Sequence, residues 1–245
     1  MTMHPRRRLQ RLLAGAAVLF AFAVAAPVSQ AAPAELCSTV GAGVVPLTET
    51  CGGKSYSDWS AAFWQYVLSQ PASANPLVDS TGATCQTGQS GQVFFLVGSF
   101  VGNVDRRDCA VPAGKTLFFP LVNIVDLNTP PGSCRAVQDM LCAPETPDQL
   151  RSDIKPLEDG ASGLHASIDG VAVANPASFR LQSPIFSVQL PADNFFGLPA
   201  QAYLTVADGY YVMVAPLPSG KHTVRFGGTD GGGFTQNITY RFTIP

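Results

Sequence analysis

From residue 92 to its end the chain is a succession of short runs rich in Val, Ile, Phe, Tyr and Thr, most of them closed by a Gly, Pro or Asp-Gly turn signal. Runs of that length and composition read as strands. They cover 92–101, 116–122, 164–168, 171–174, 179–183, 185–190, 202–206, 210–215, 223–226 and 234–244. Asp169-Gly170 is a two-residue hairpin signal, because both residue types tolerate the positive φ of a type I′ turn. Asp208-Gly209 and Asp230-Gly231 read as turns on the same chemistry. A parallel α/β fold would place a helix after each strand, and helical periodicity is almost absent from these gaps. With 20 Pro and 23 Gly supplying turns, the pattern predicts a mainly β chain: an antiparallel β-sandwich, jelly-roll-like, forming one domain over 54–245.

One segment breaks the strand pattern. Tyr56, Trp59, Phe63, Tyr66 and Val67 recur at spacings of 3, 4, 3 and 1, the stripe of an amphipathic helix. The stripe predicts a helix over 56–70, with Ser57 as N-cap, Asp58 in the first turn and Pro71 as the stop. Trp59 falls on the stripe and is expected in the core. Trp64 lies off it, beside Gln65, and reads either as buried under a second covered face or as a ligand platform. Residues 126–163 form an excursion from the sandwich. It holds Pro130, Pro131, two cysteines and a short helix over 147–154, with Thr146 as N-cap and Pro147 as first residue.

At the other end, Arg6, Arg7, Arg8 and Arg11 precede an uncharged apolar run over 12–26, and Ser29 and Ala31 stand at −3 and −1 of a cut after Ala31. That is the layout of a secretory signal peptide over 1–31, leaving 32–53 as an extended, Gly-rich N-terminal segment. The run is shorter than the ~20 residues of a bilayer span, and no later stretch qualifies, so no stable membrane span is expected after cleavage. Losing those four Arg takes the formal net charge from −2 to −6. No basic excess remains to neutralise phosphates, which excludes nucleic acid as a partner. All six cysteines lie beyond the cut, and an even number in an exported chain reads as disulfides. Pairing nearest neighbours gives Cys37–Cys51, Cys85–Cys109 and Cys134–Cys142. The expected location is secreted or periplasmic.

Catalytic signals are sparse. No Gly-x-Ser-x-Gly is present, and beyond residue 31 the only histidines are His165 and His222. His222 shares a strand face with Val224 and Phe226 and is read as facing the core or its rim. His165 alternates with Ser167, opposite Leu164, Ala166 and Ile168, and is read as exposed. No Cys-x-x-Cys occurs and no His lies near a Cys pair, so no metal and no cofactor is expected. Oxygen ligands for calcium exist on Asp126, Asn128 and the acidic segment 145–159, but no loop has an EF-hand spacing, and these residues read as solvated acidic surface. Asp79-Ser80-Thr81-Gly82 reads as a turn.

Residues 56–66 (YSDWSAAFWQY), 111–123 (VPAGKTLFFPLVN) and 208–224 (DGYYVMVAPLPSGKHTV) together resemble a family of exported bacterial β-rich proteins of unknown activity. The resemblance implies secretion and a single β domain; it carries no functional residues. The sequence thus leads to a secreted, disulfide-stabilised sandwich that binds a ligand or serves the cell envelope, with a glycan or cell-surface polymer as the partner. Candidate ligand-binding residues are Trp64, Gln65, Asn123, His165 and His222. The alternative is an extracellular hydrolase on the sandwich rim, drawing on His222, His165, Asn123, Gln65 and nearby acids.

Overall fold

The computed structural model describes Thr39, residues 43–129 and residues 145–245. The expected leader over 1–31, nearly all of 32–42, and Cys37, Cys134 and Cys142 lie outside the described residues. Among those described, the elements run α1 (Tyr56–Leu68), β1 (Val93–Phe95), β2 (Val104–Arg106), β3 (Thr116–Leu127), α2 (Pro147–Asp159), β4 (Ser162–Ile168), β5 (Val171–Ala172), β6 (Arg180–Gln182), β7 (Phe186–Gln189), β8 (Ala202–Val214), β9 (Gly220–Thr229) and β10 (Thr235–Ile244). They form two sheets of five strands and two helices, a sandwich-like architecture. One sheet has the order β1-β3-β8-β6, with β7 also pairing β8; the other is β2-β10-β9-β4-β5, and neither closes into a barrel.

Burial patterns explain the layers. β9 and β10 largely alternate buried and exposed residues, as a strand does with one face in the core and one in water. β3 is buried over its first seven residues and β8 over its last ten, so the first sheet must be covered on both faces. Adjacent phenylalanines of β3 show how. Phe119 stacks on Phe226 of β9 at 4.7 Å between centroids, joining the two sheets. Phe118 points the other way and meets Phe63 of α1 at 6.5 Å. The order through the body is therefore α1, first sheet, second sheet. α2 adds a smaller apolar contact, packing Leu150 and Ile154 on Val206, with Ile124 beside them.

Several elements differ from the sequence reading. The sheets are not purely antiparallel: β1 pairs β3, and β2 pairs β10, in parallel. The expected strand over 92–101 contracts to Val93–Phe95, because the following residues leave the ladder to surround Arg106. That side chain is 1% exposed and donates to the carbonyls of Asp79, Val97, Pro76 and Gly98. The expected strands 202–206 and 210–215 are one strand, β8. Asp208-Gly209 makes no turn: Arg180 on β6 holds Asp208 in place with two bonds of 3.0 and 3.1 Å, and Gly209 sits opposite Asn123 of β3, where a Cβ would come within 2.8 Å of the Asn123 Cα. Local turn preference is overridden by a partner distant in sequence.

Other differences are at the ends of elements. The N-cap of α1 is Ser55, not Ser57, because only Ser55 has an acid three residues on: Ser55 and Asp58 form a reciprocal capping box. α1 ends at Leu68. α2 starts as read, with Thr146 as N-cap, but runs on to Asp159 with Pro156 inside it. Residues 43–45 are not a loose extension: Val45 N–H donates to the Met213 carbonyl at 2.9 Å, and Ala215 N–H to Gly43 at 2.9 Å, adding a bridge to the edge of β8. The Asp169-Gly170 hairpin forms as expected, with φ of 50° and 84°. Cys85–Cys109 is bonded as expected. Cys51 is disulfide-bonded as well.

Candidate functional site

Pro120 creates the local irregularity on which a cleft is built. Lacking an amide hydrogen, it cannot donate to a ladder, and the β3–β8 register slips between Pro120 and Val122. The extra residue is Leu121, whose carbonyl is taken by Gln236 Nε2 of β10 at 2.9 Å. The other end of that amide, Oε1, accepts from Ser99 N–H at 3.1 Å. Because β1 pairs only with residues 116–118 of β3, the edge beyond it is free of a strand neighbour. α1, the 98–100 segment and the β9–β10 turn converge there instead.

The result is a cleft of about 210 Å³ walled by Trp64, Val122, Asn123, Ile124, Asp230 and Phe234, with Leu77, Gly98, Ser99, Phe100, Gly228 and Gln236 completing it. Two of the five residues picked from sequence, Trp64 and Asn123, meet here. Trp64 is buried, and its indole N–H donates to the Tyr211 hydroxyl at 3.0 Å. Asn123 Nδ2 reaches the same hydroxyl at 3.3 Å. Burial pushes the Tyr211 phenol far above its ordinary value, against the opposing pull of these two donors, so it stays neutral and serves as an anchor. The bond from Asn123 fixes that side-chain amide at the cleft wall. Asp230 Oδ1 accepts from Gly232 and Phe234 N–H, both at 2.9 Å, which orders the turn and sets the side chain in the cleft wall. The surrounding surface is aromatic: Phe100, 39% exposed, stacks on Phe195 at 4.5 Å, and Phe234 is 44% exposed.

The other three sequence candidates lie elsewhere. Gln65 is exposed and donates to the Ser187 carbonyl at 2.9 Å, tying α1 to β7. His165 is exposed, as read, opposite Gly227. His222 is buried at the far end of β9, five residues from Gly227, or roughly 17 Å at ~3.4 Å per residue. The two histidines therefore do not share a site. His222 lies in a shallow hollow with Arg107, Lys221 and Arg241. Its Nδ1 is 2.7 Å from Asp169 Oδ2 and its Nε2 2.7 Å from the Pro218 carbonyl. Burial alone would lower the imidazole, but Asp169 and Pro218 together raise it above the usual histidine value. With both nitrogens committed to acceptors, His222 has no lone pair free to take a proton from a hydroxyl. Trp59, expected in the core, is only half-buried and donates to the Cys51 carbonyl at 3.0 Å.

Sequence reasoning also misses the buried acids. Asp126 is not solvated surface but 1% exposed. Its carboxylate lies with those of Glu145 and Asp153, one oxygen from each within 4.8 Å of the others. Burial, and then Glu145 and Asp153, push Asp126 up to about 7. Glu158 on α2 is fully buried with no hydrogen bond to either carboxylate oxygen. Burial and the nearby Asp208 raise it to about 8, against the offsetting charge of Arg180. Strand and helix spacing carry no signal for such pairs, which are assembled only by the sheet. Asp79 does form the turn read from sequence: burial would raise its carboxyl, but hydrogen bonds from Thr84 and Thr81 hold it well below the usual range.

Comparison with protein-family models, with curated proteins and with solved structures finds no match to this chain.

Proposed function

We propose that this protein is an exported, disulfide-stabilised binding protein, and that its ligand is a glycan or another cell-surface polymer held in the cleft between α1, β3 and the β9–β10 turn. The observation that carries the reading is the composition of that cleft: the exposed rings of Phe100 and Phe234, with Phe195 stacked beside Phe100, around two polar side chains, Asn123 and Asp230. Sugar rings offer apolar C–H faces for stacking and hydroxyls for an amide and a carboxylate to bond. Orienting polar groups in a mainly apolar hollow are the usual make-up of a small-molecule site. At about 210 Å³ the cleft is smaller than the ~300–1,000 Å³ of drug-sized pockets, so it takes one ring or one chain end, with the rest of a polymer lying across the aromatic rim. Export rests on the N-terminal sequence pattern and fits a body carrying a disulfide between Cys85 and Cys109.

The hydrolase alternative finds no comparable support, since His222 is committed at both nitrogens and lies outside the cleft. The test is a glycan-array screen followed by titration calorimetry of the best ligand. Asn123→Ala and Asp230→Ala should each weaken binding about tenfold, the loss of one to two hydrogen bonds. A screen without a ligand, or variants that bind as tightly as the parent, would overturn the proposal.

A further inference from the structure

The three carboxylates beside the cleft strand belong to elements that the chain brings together from either side of residues 130–144. Asp126 is in β3, near its end, Glu145 immediately precedes the Thr146 cap, and Asp153 is on α2. The fold holds them together by independent means. Asn128 clamps the Glu145 backbone from both sides, Nδ2 donating to its carbonyl at 2.7 Å and Oδ1 accepting its N–H at 3.0 Å. Asn128 thus fixes where the Glu145 backbone stands relative to the end of β3. α2 is pinned by Leu150 and Ile154, which flank Asp153.

Three carboxylates so placed repel one another in a poorly solvated setting. Basic side chains do not resolve the conflict, since none of the described ion pairs includes Asp126, Glu145 or Asp153. A second observation concerns Asp126 alone. Its Oδ1 accepts from Leu127 N–H at 2.8 Å, but Oδ2 is buried without any hydrogen-bond partner. A buried polar atom left unpaired costs ~1–3 kcal/mol, more when charged, and calls for a partner such as water or an ion.

We propose that Asp126, Glu145 and Asp153 bind a divalent cation, and that the ion is Ca²⁺. All donors are carboxylate oxygens, which suit a hard cation and not Zn²⁺ or Cu²⁺, whose sites draw on imidazole or thiolate. Ca²⁺–oxygen distances of ~2.3–2.6 Å put donors on opposite sides of the ion about 4.6–5.2 Å apart; the spacing here, within 4.8 Å, falls inside that sphere without rearrangement. Asp126 forms the buried floor, while Glu145 and Asp153 are half-exposed, so the ion has a route in and room for water ligands. Bound there, it would tie β3 to α2 and close the base of the excursion. This inference is independent of the proposed glycan cleft.

The test is thermal unfolding and terbium luminescence of the purified protein after chelation, with Ca²⁺ or Mg²⁺ added back at millimolar concentration. Ca²⁺ should raise Tm, and should displace bound Tb³⁺. Asp153→Asn, at a half-exposed position where folding is not at risk, should weaken Ca²⁺ about tenfold or more through the lost ligand charge, with the metal-free Tm unchanged or higher. Asp126→Asn should abolish the response. A parent protein whose Tm ignores Ca²⁺, or an Asp153→Asn variant that responds like the parent, overturns the site; an equal response to Mg²⁺ overturns its assignment to calcium.

Discussion

Glu158 offers the sharpest test of the buried electrostatics. The carboxyl is fully buried and has no well-formed hydrogen bond; Asp208 and Asp230 add to the effect of burial, Arg180 and the Ile124 backbone N–H oppose it, and the Tyr210 hydroxyl donates to the Glu158 backbone carbonyl at 3.2 Å. Its value rises from 4.5 to about 8. Between those limits the folded protein keeps the proton and the unfolded chain releases it. Unfolding therefore releases a proton, and stability falls as pH rises through the window, levelling off on either side. The slope for one proton is ~1.4 kcal/mol per pH unit, and the full shift corresponds to a ceiling of about 5 kcal/mol. Glu158→Gln keeps the shape and removes the titration. Asp126 and His222 tilt stability in the same direction, so the quantity to measure is the difference between parent and variant in urea unfolding at a series of pH values. The variant should gain on the parent steadily from about pH 5 to pH 8 and be the more stable at pH 8. A difference that does not change with pH would mean that Glu158 titrates alike in the folded and unfolded chain.

Arg106 should be the costliest single polar residue to lose: Arg106→Met leaves the carbonyls of Asp79, Pro76 and Gly98 without a donor, takes one of two donors from the Val97 carbonyl, which keeps the Tyr240 hydroxyl, and removes the donor to that hydroxyl; at ~1 kcal/mol each chemical denaturation should show a loss of about 3–5 kcal/mol. Replacing Cys85 and Cys109 by Ser opens a loop with a sequence separation of 24, and the same assay should show a loss of about 3 kcal/mol; an unchanged midpoint would mean the bridge does not constrain the unfolded chain.

Legibility in the sequence follows the range of the interactions. The Asp169-Gly170 hairpin, the Thr146 cap and strands β4, β5, β9 and β10 of the second sheet are specified by neighbouring residues, and are readable; β2, three residues long, carries no strand signal of its own. Parallel pairing of β1 with β3 and of β2 with β10 is not, because a parallel partner leaves no turn signature between the two strands. Asp208-Gly209 misleads for a related reason: the residue that makes it a strand is Arg180, 28 positions away. In the cleft, Trp64 and Asn123 stand out as residue types, yet what unites them is Tyr211, buried on β8. Asp230 reads as turn chemistry alone, and it is a turn; the same carboxylate both orders the turn and faces the cleft. The acids of the carboxylate cluster are visible as oxygen ligands, but their meeting is not, because Asp126 carries no mark of burial in its own sequence neighbourhood.

If the cleft beside Trp64 is where this protein meets its ligand, its two tryptophans should respond differently to that ligand. The chain has two tryptophans: Trp64, whose ring lines the cleft, and Trp59, whose indole bonds the Cys51 carbonyl outside it. Their two indole N–H signals can be followed by nuclear magnetic resonance as a glycan is titrated in. Binding in the cleft should move the Trp64 signal saturably while that of Trp59 stays in place. Saturable binding with Trp64 unmoved would contradict it.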